Sequence, residues 1–402
     1  MRGSNFCLFQ EQQNISLNKT VLLTLSLLAT FVISGTVITM GLIIPRAAEA
    51  FGVDAVSMAA QFTWLTGGIF FGYILSMGIF DRFTIKQVLI GSYLICVLAL
   101  LLIHFSTNYN LLAVWLALFG VAISMAVCGS GTLITRLWDG RARQTVLVAQ
   151  DAMFNGGGVI FAAIATWFAG NAFAFSATYL VVAAIIVCVL ILVIIANFDS
   201  SDFVIAHNEK VVTQWNFSFL LIGFSLLLFM TAKISIFIWA PQYVEAKFGV
   251  GAEDSGRFMG NIFTAALVGS LVGTWLVSRI KVKILLYALV LVAGAATIAF
   301  TRMATLESMM IIALFFGVSI SATFNAYMAF ALTLVKIPTH RNIAYMLLMS
   351  GLGSAIAPLV SSQAVARGGE IEYALYICAA LFLMVILTLF ASEFAVRNRT
   401  SS

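Results

Sequence analysis

Residues 45–53 read PRAAEAFGV, and residues 241–250 read PQYVEAKFGV, about 196 residues further along the chain. Three other pairs stand at nearly the same offset: FGVAIS (119–124) with FGVSIS (316–321), Phe80-Asp81-Arg82 with Val277-Ser278-Arg279, and Met153 and Gly157 with Met349 and Gly353. A fixed internal period is the signature of a duplicated structural unit. The sequence therefore predicts two copies of one fold.

The composition shows which solvent surrounds these copies. Of the 402 residues, 62% are hydrophobic and only 9% are charged, whereas an ordinary soluble chain has about 25% charged residues. The chain is therefore predicted to cross a membrane many times and to be surrounded by lipid. The formal net charge of +5 is read as loop charge that sets membrane orientation, and we expect no nucleic-acid partner. The five cysteines have no CxxC spacing and predict free thiols without a metal site.

A helix needs about 20 mostly apolar residues to cross the hydrocarbon core. Twelve such spans are predicted, numbered 1 to 12 in chain order: 21–45, 57–80, 87–105, 111–135, 146–169, 172–197, 217–240, 256–279, 283–302, 307–334, 342–365 and 371–395. The fold class is therefore an all-α membrane protein of two parallel six-helix repeats.

The polar segments divide the chain into two halves. We expect a cytoplasmic tail (1–20), an N-terminal half (21–197), a cytoplasmic linker (198–216), a C-terminal half (217–395) and a second cytoplasmic tail (396–402). With both termini inside, about fifteen Lys and Arg residues lie on the inner side and about five on the outer side, as the positive-inside rule requires. The first apolar run is too long for a cleaved signal peptide and is expected to be retained.

Parallel repeats of six helices are the plan of major facilitator transporters, whose substrate site lies between the halves. The chain resembles that superfamily in this plan, in the basic turn GIFDRFTIKQ (78–87) and in SMAAQFTWLTGGIFFGYILS (57–76). Two further stretches, residues 132–165 and WAPQY (239–243), resemble the TsgA-type proteins near the fucose–galactose–proton symporter branch. The resemblance implies that spans 1, 4, 7 and 10 line a central cavity. It also implies that Asp81, Arg82 and Lys86, with Arg279 in the second copy, act on the inner gate.

Lys233, in LFMTAKISIFIWAP (228–241), is one of two ionisable residues placed well inside a span. A charge there costs about 2.5–3.5 kcal/mol. The residue lies about 12 Å before Pro241 along its helix, further than its side chain of about 6 Å reaches toward the headgroups. Three interpretations remain: a substrate-binding or coupling group in a water-filled cavity, a member of a gating pair, or a snorkelling side chain.

Asp151, the other such residue, is predicted in the inner half of span 5, about 12 Å beyond Arg143. One interpretation makes it an ion-pair partner of Arg141 or Arg143, and the other makes it a carboxylate that carries a coupling proton. The difference in depth predicts that Asp151 and Lys233 are poor direct partners. The acids that the resembled symporters carry in helices 1 and 4 have no counterpart here, so the resemblance does not itself imply proton coupling.

Asn155 and Asn325 are the preferred polar ligand candidates, with Trp64 and Trp239 as walls of the pocket. The glycines of spans 5 and 11 are predicted to permit close helix packing: Gly156, Gly157, Gly158, Gly351 and Gly353. Because the resemblance implies that the halves rock along these spans, a bulky residue at Gly157 is expected to block the motion. No phosphate-binding loop accompanies the glycines.

The sequence thus predicts a secondary active transporter that moves a small polar solute by alternating access. The protein is not expected to be an enzyme or to need a cofactor, because it lacks HExxH, GxSxG and nucleotide motifs. Its expected partners are a small substrate, for which an anion is one alternative, a coupling proton or other ion, and the lipid bilayer. We expect a multi-pass monomer in a bacterial inner membrane. The alternatives are efflux of drug-like compounds and a non-transporting membrane sensor on the same fold.

Overall fold

The computed structural model describes the backbone of residues 2–80, 82–138, 140–198, 215–277, 279–335 and 340–400. Within these ranges, side chains are not described at residues 2–17, 135–136, 140–144, 148, 274, 277, 340–341 and 396–400. The predicted gate residue Asp81 and most of the predicted linker, residues 199–214, lie outside the described part.

All regular secondary structure in the described backbone is α-helical. The helices are α1 Arg2–Val37, α2 Met40–Phe51, α3 Ala55–Gln61, α4 Thr63–Ile79, α5 Ile85–Phe105, α6 Tyr109–Leu137, α7 Gly140–Gly170, α8 Ala177–Ile195, α9 Phe217–Phe248, α10 Ala252–Val277, α11 Val282–Arg302, α12 Leu306–Ser321, α13 Thr323–Thr333, α14 His340–Gly368 and α15 Glu372–Thr400.

These helices account for the predicted spans. The described residues contain 11 segments that are long and apolar enough to cross a membrane. Helix α10, with 26 residues, corresponds to predicted span 8 and packs between spans 5 and 10. The structure therefore confirms the all-helical membrane fold and is consistent with twelve spans. An even number of spans brings both chain ends to one side, here called the terminal face; the other side is the opposite face.

The ends of spans 1 and 7 differ from the prediction, which ended them at residues 45 and 240. Helices α2 and α9 continue through Pro45 and Pro241 to Phe51 and Phe248. Each then ends at a glycine with φ of +64°, Gly52 and Gly249. A left-handed C-cap favours glycine because a Cβ is strained there. The proline removes one ladder hydrogen bond, and the glycine ends the helix.

Three predicted spans are interrupted. Span 1 breaks between α1 and α2, span 2 at Phe62 and span 10 at Ala322. None of these breaks contains glycine or proline. Instead, threonine hydroxyls beside them donate to carbonyls four residues back, Thr39 to Gly35 and Thr323 to Ser319, and such bonds often bend helices. Span 7, by contrast, is one unbroken helix of 32 residues.

The repeat is also present in the packing. A methyl group on Gly157 would lie 2.6 Å from the Ser34 hydroxyl and 3.1 Å from Phe31, both on span 1. A methyl group on Gly353 would collide with the carbonyl of Leu227 on span 7. Phe31 and Leu227 stand at the offset of the repeat, so the same close contact recurs in each half. Gly157 therefore packs inside its own half, and a bulky residue there would first disturb that half.

The contacts between the halves run from the opposite face to the midplane. Gly41 of span 1 packs against the carbonyls of Phe237 and Ile238. Span 5 packs along span 8, and span 2 packs against span 11. We call this set of contacts the opposite-face seam. On the terminal side, the described packing of α13 is with spans 7, 9 and 11 of its own half.

Candidate functional site

A pair of polar side chains joins the two halves in the interior of the membrane region. Asn325 on α13 donates its side-chain N–H to the Asp151 carboxylate on α7, with 2.5 Å between Nδ2 and Oδ2. Asn325 lies three residues after the break in span 10 and is exposed, and Asp151 is half-buried. Exposed polar groups at this depth mark a gap between the halves that water can enter.

Lys233 brings a positive charge to the same region. It stands in the unbroken helix α9 and is half-buried among apolar neighbours. Its ammonium has no hydrogen bond within the described residues. It contacts the ring of Phe237, one turn along the helix, with 5.7 Å between Nζ and the ring centroid. The charge therefore lacks the hydrogen-bonding partners that buried ammonium groups usually require.

Asp151 and Lys233 are near enough for their charges to attract. They form no contact within 4.0 Å in the described structure, where the ion pairs are those of Arg257 and Lys283. The expectation that they are not direct partners agrees with this geometry. The alternative partners of Asp151, the side chains of Arg141 and Arg143, lie outside the described residues.

The remaining ligand candidates are dispersed. Asn155 is 7% exposed, one turn beyond Asp151 on α7. Trp239 is completely buried, and its indole nitrogen has no hydrogen-bond partner among the described residues. Trp64 is 56% exposed near the opposite-face end of span 2. Neither tryptophan is placed beside Lys233 by a described contact, so their role as pocket walls remains a prediction.

The predicted gate residues have local partners. Lys86 donates to the carbonyls of Ile194 and Ala196 at 3.0 and 2.9 Å, and thereby caps the end of span 6. Arg82 is exposed. The Arg279 guanidinium lies 5.8 Å from the ring of Trp275 in its own span. A gating role for these residues stays a prediction.

The glycine cluster divides into two kinds of contact. Gly158 and Gly351 face the other half: added methyl groups would lie 2.5 Å from Phe263 and 3.1 Å from Phe70. Gly156 faces open space. The predicted packing role therefore applies to the seam at Gly158 and Gly351, and to each half separately at Gly157 and Gly353.

Sequence analysis did not single out Phe237 and Phe263, because they are two of 34 phenylalanines in the chain and residue type alone does not distinguish them. Both are fully buried, and their ring centroids are 5.0 Å apart. Two local signals do point to Phe237. It follows Lys233 by four residues, the spacing that brings side chains together on a helix. It also precedes Pro241 by four, which leaves its carbonyl without a ladder donor.

The site joins a carboxylate, an amide and a free ammonium at the interface of two six-span units. Such a set can bind a polar solute, and it can exchange internal for external partners when the halves move. Two six-span units with polar groups at their interface are typical of polytopic membrane transporters.

A family model for the Major Facilitator Superfamily matches residues 25–342. The chain belongs to this superfamily.

The chain is also similar to individual curated proteins and to a solved structure. A "Protein TsgA homolog" from Serratia proteamaculans is 20% identical over 366 residues, covering 90% of this chain and 93% of the relative. A second, from Edwardsiella ictaluri, is 22% identical over 371 residues, covering 90% and 92%. The crystal structure of the E. coli fucose:proton symporter has a TM-score of 0.62 at 16% identity and covers 94% of this chain and 98% of its own. The similarity to that structure establishes the fold.

Proposed function

We propose that this protein is an ion-coupled secondary transporter that carries a small, polar, anionic solute between its two halves. The observation that supports the proposal most directly is the Asp151–Asn325 hydrogen bond across the halves, beside the Lys233 ammonium. An ammonium with open donor positions can bind a carboxylate or a similar anion. Asp151 is the group proposed to carry the coupling ion, because it is an ionisable carboxylate at the interface of the two halves.

The arrangement of the seam supports a direction of access. The contacts at Gly41, Gly158 and Gly351 close the opposite face, and Asn325, which follows the break in span 10, is exposed. With the terminal face on the cytoplasmic side of a bacterial inner membrane, as the basic residues favour, this is an inward-open state. Alternating access would then break the seam and close the terminal side.

A ligand screen tests the proposal. The purified protein is heated with carboxylates (gluconate, lactate, succinate), neutral sugars (fucose, galactose) and a lipophilic cation (tetraphenylphosphonium). Any compound that binds the folded state raises its unfolding temperature. We expect a carboxylate to stabilise the protein and to lose this effect in Lys233→Met.

Lys281→Met is the matched control, because Lys281 is exposed in a turn away from the site. The control should respond like the unaltered protein. Stabilisation by the cation alone would contradict an anionic substrate and favour efflux of drug-like compounds. Uptake of the stabilising compound into proteoliposomes, with and without a pH gradient, then tests the coupling.

A further inference from the structure

The proposed transport cycle uses the charge of Lys233 but does not explain what holds the ammonium in place. One described contact of the ammonium is with an aromatic face, the ring of Phe237, whose centroid is 5.7 Å from Nζ. A cation within about 6 Å of a ring centroid is attracted by the negative face of the ring. Because Phe237 is completely buried, this attraction acts with little competition from water.

The same phenylalanine stands where the opposite-face seam closes. Pro241 has no N–H, so the carbonyl of Phe237 lacks its helical donor. Gly41 of span 1 packs directly on this carbonyl, where a methyl group would not fit. Only glycine permits that approach, and its Cα–H groups can lie against the carbonyl oxygen.

The ring of Phe237 reaches the other half only through a second phenylalanine of its own half. It packs on the ring of Phe263 in span 8, with 5.0 Å between centroids and 55° between planes. Phe263 in turn fills the space over Gly158 of span 5. The backbone of Phe237 therefore contacts the other half directly, and its ring contacts that half through Phe263.

We propose that Phe237 is a positioning residue that holds the Lys233 ammonium by a cation–π contact while the opposite face is closed. Opening the seam removes Gly41 from the Phe237 carbonyl and Gly158 from Phe263. The Phe237–Phe263 pair then loses its packing against the other half, which lets the Phe237 ring turn away from the ammonium. The relevance to transport rests on the proposed function, but the positioning itself can be measured without a substrate.

The experiment begins with a spectroscopic signature of Lys233. Lysines of the purified protein are reductively methylated with ¹³C-formaldehyde, which keeps their charge. The Lys233 methyl signal is identified by its loss in Lys233→Met. A ring over the ammonium displaces this signal upfield. We expect Phe237→Leu to abolish the displacement and Phe237→Tyr to preserve it.

Phe229→Leu is the matched control. Phe229 is also fully buried and lies one turn on the other side of Lys233. Its ring packs on Tyr327 and Phe382 rather than on Phe263, the residue that covers Gly158. It should leave the Lys233 signal in place. Equal displacement in the two leucine variants would overturn the proposal, because the effect would then be general loosening of the helix.

The distance between spin labels at Ala174 and Ala304 tests whether the Phe237–Lys233 contact stabilises the closed opposite-face seam. These exposed residues lie in opposite-face turns of the two halves, and accessible cysteines are replaced first. We expect Phe237→Leu to shift the populations toward the longer distance by roughly 2- to 30-fold, the range of a cation–π contact. Unchanged distances would refute the tie to closure.

If Phe237→Leu does not fold, pentafluorophenylalanine at position 237 replaces it in the experiment. This residue has nearly the same shape as phenylalanine but lacks the negative ring face. It should therefore shift the spin-label distances when Lys233 is present and have no effect in the Lys233→Met background. An equal shift in both would overturn the proposal. The two proposals can fail separately. If no carboxylate stabilises the protein but the Lys233 signal and the spin-label distances respond as expected, the anionic substrate is excluded and the positioning of Lys233 by Phe237 still holds.

Discussion

The two halves are alike at their edges and different at their centre. Spans 1 and 7 share an internal proline and a glycine cap with the same φ of +64°. Midway through the membrane the likeness ends. At the repeat offset, Lys233 corresponds to Val37, beside the break in span 1, and Asp151 corresponds to Leu347. Asn325 corresponds to Cys128, by the offset of the neighbouring FGV motif. The duplicated positions build the scaffold, and the unduplicated ones form the candidate site.

The largest effect on transport is expected from removing the charge of Lys233, which distinguishes span 7 from span 1. Lys233→Met should lower transport by at least about tenfold, because hydrogen bonds to charged groups contribute about 1.5–3 kcal/mol. Folding and membrane insertion should be unchanged, since methionine suits an apolar helix. Transport is measured in proteoliposomes with the compound found in the ligand screen. A rate equal to that of the unaltered protein would exclude Lys233 from the site.

The carboxylate of span 5 gives the next largest effect. Asp151→Asn keeps the shape but removes the ionisable group, so transport should continue at a reduced rate without dependence on external pH. The repeat-related change Leu347→Asn is the control and should keep the pH dependence. An Asp151→Asn protein with the original pH profile would show that the coupling ion binds elsewhere.

The glycines separate packing between the halves from packing within them. Gly158→Ala should weaken closure of the seam and lower transport severalfold, because overpacking costs typically 1–3 kcal/mol and the methyl group would lie 2.5 Å from Phe263. Gly156→Ala meets open space and should have no effect. Distances between the spin labels at Ala174 and Ala304 provide the measurement. Equal behaviour of the two variants would place the seam elsewhere.

The shared caps should give the smallest effect, equal in the two halves. Gly52→Ala and Gly249→Ala each place a side chain at φ of +64°, which costs about 1–2 kcal/mol. Each should lower the unfolding temperature by a similar amount and leave transport specificity unchanged. Gly131→Ala, inside a helix with open space around it, should be neutral or stabilising. A large difference between the two cap variants would mean that the halves unfold separately.

The fold could be predicted from the sequence because it depends on long apolar runs and on an internal period. The boundaries at Pro45 and Pro241 were wrong because a proline signals a helix end locally, whereas these two are accommodated inside helices that end at Gly52 and Gly249. The breaks in spans 1, 2 and 10 could not be located. Threonine back-bonds of the kind at Thr39 also occur in unbroken stretches, for example at Thr24.

The candidate site was predicted in part. Lys233, Asp151 and Asn325 could be singled out individually, because charges and amides are rare at mid-membrane depth. Their pairing could not, since it depends on how the two halves rotate against each other. The hydrogen bond from Asn325 to Asp151 joins residues 174 positions apart, and no local pattern encodes that distance. The roles assigned to these residues stay predictions until the variants are measured.

The carbonyl groups of span 11 have a consequence for how fast the protein can change state. Hydroxyls of span 7 bind two of them, Thr231 to Gly353 at 3.1 Å and Ser235 to Ala357 at 3.2 Å. Between these, Thr66 from the other half binds the Ala355 carbonyl at 3.1 Å. Hydrogen bonds of this kind between membrane helices average about 0.6 kcal/mol, which is close to thermal energy. Among the described residues, span 11 accepts two such bonds from its own half and one from the other half, and its Tyr345 hydroxyl also donates to the Leu220 carbonyl of span 7. The single bond from Thr66 adds little to the activation barrier, so it can break and re-form many times while the half that carries it moves as one body.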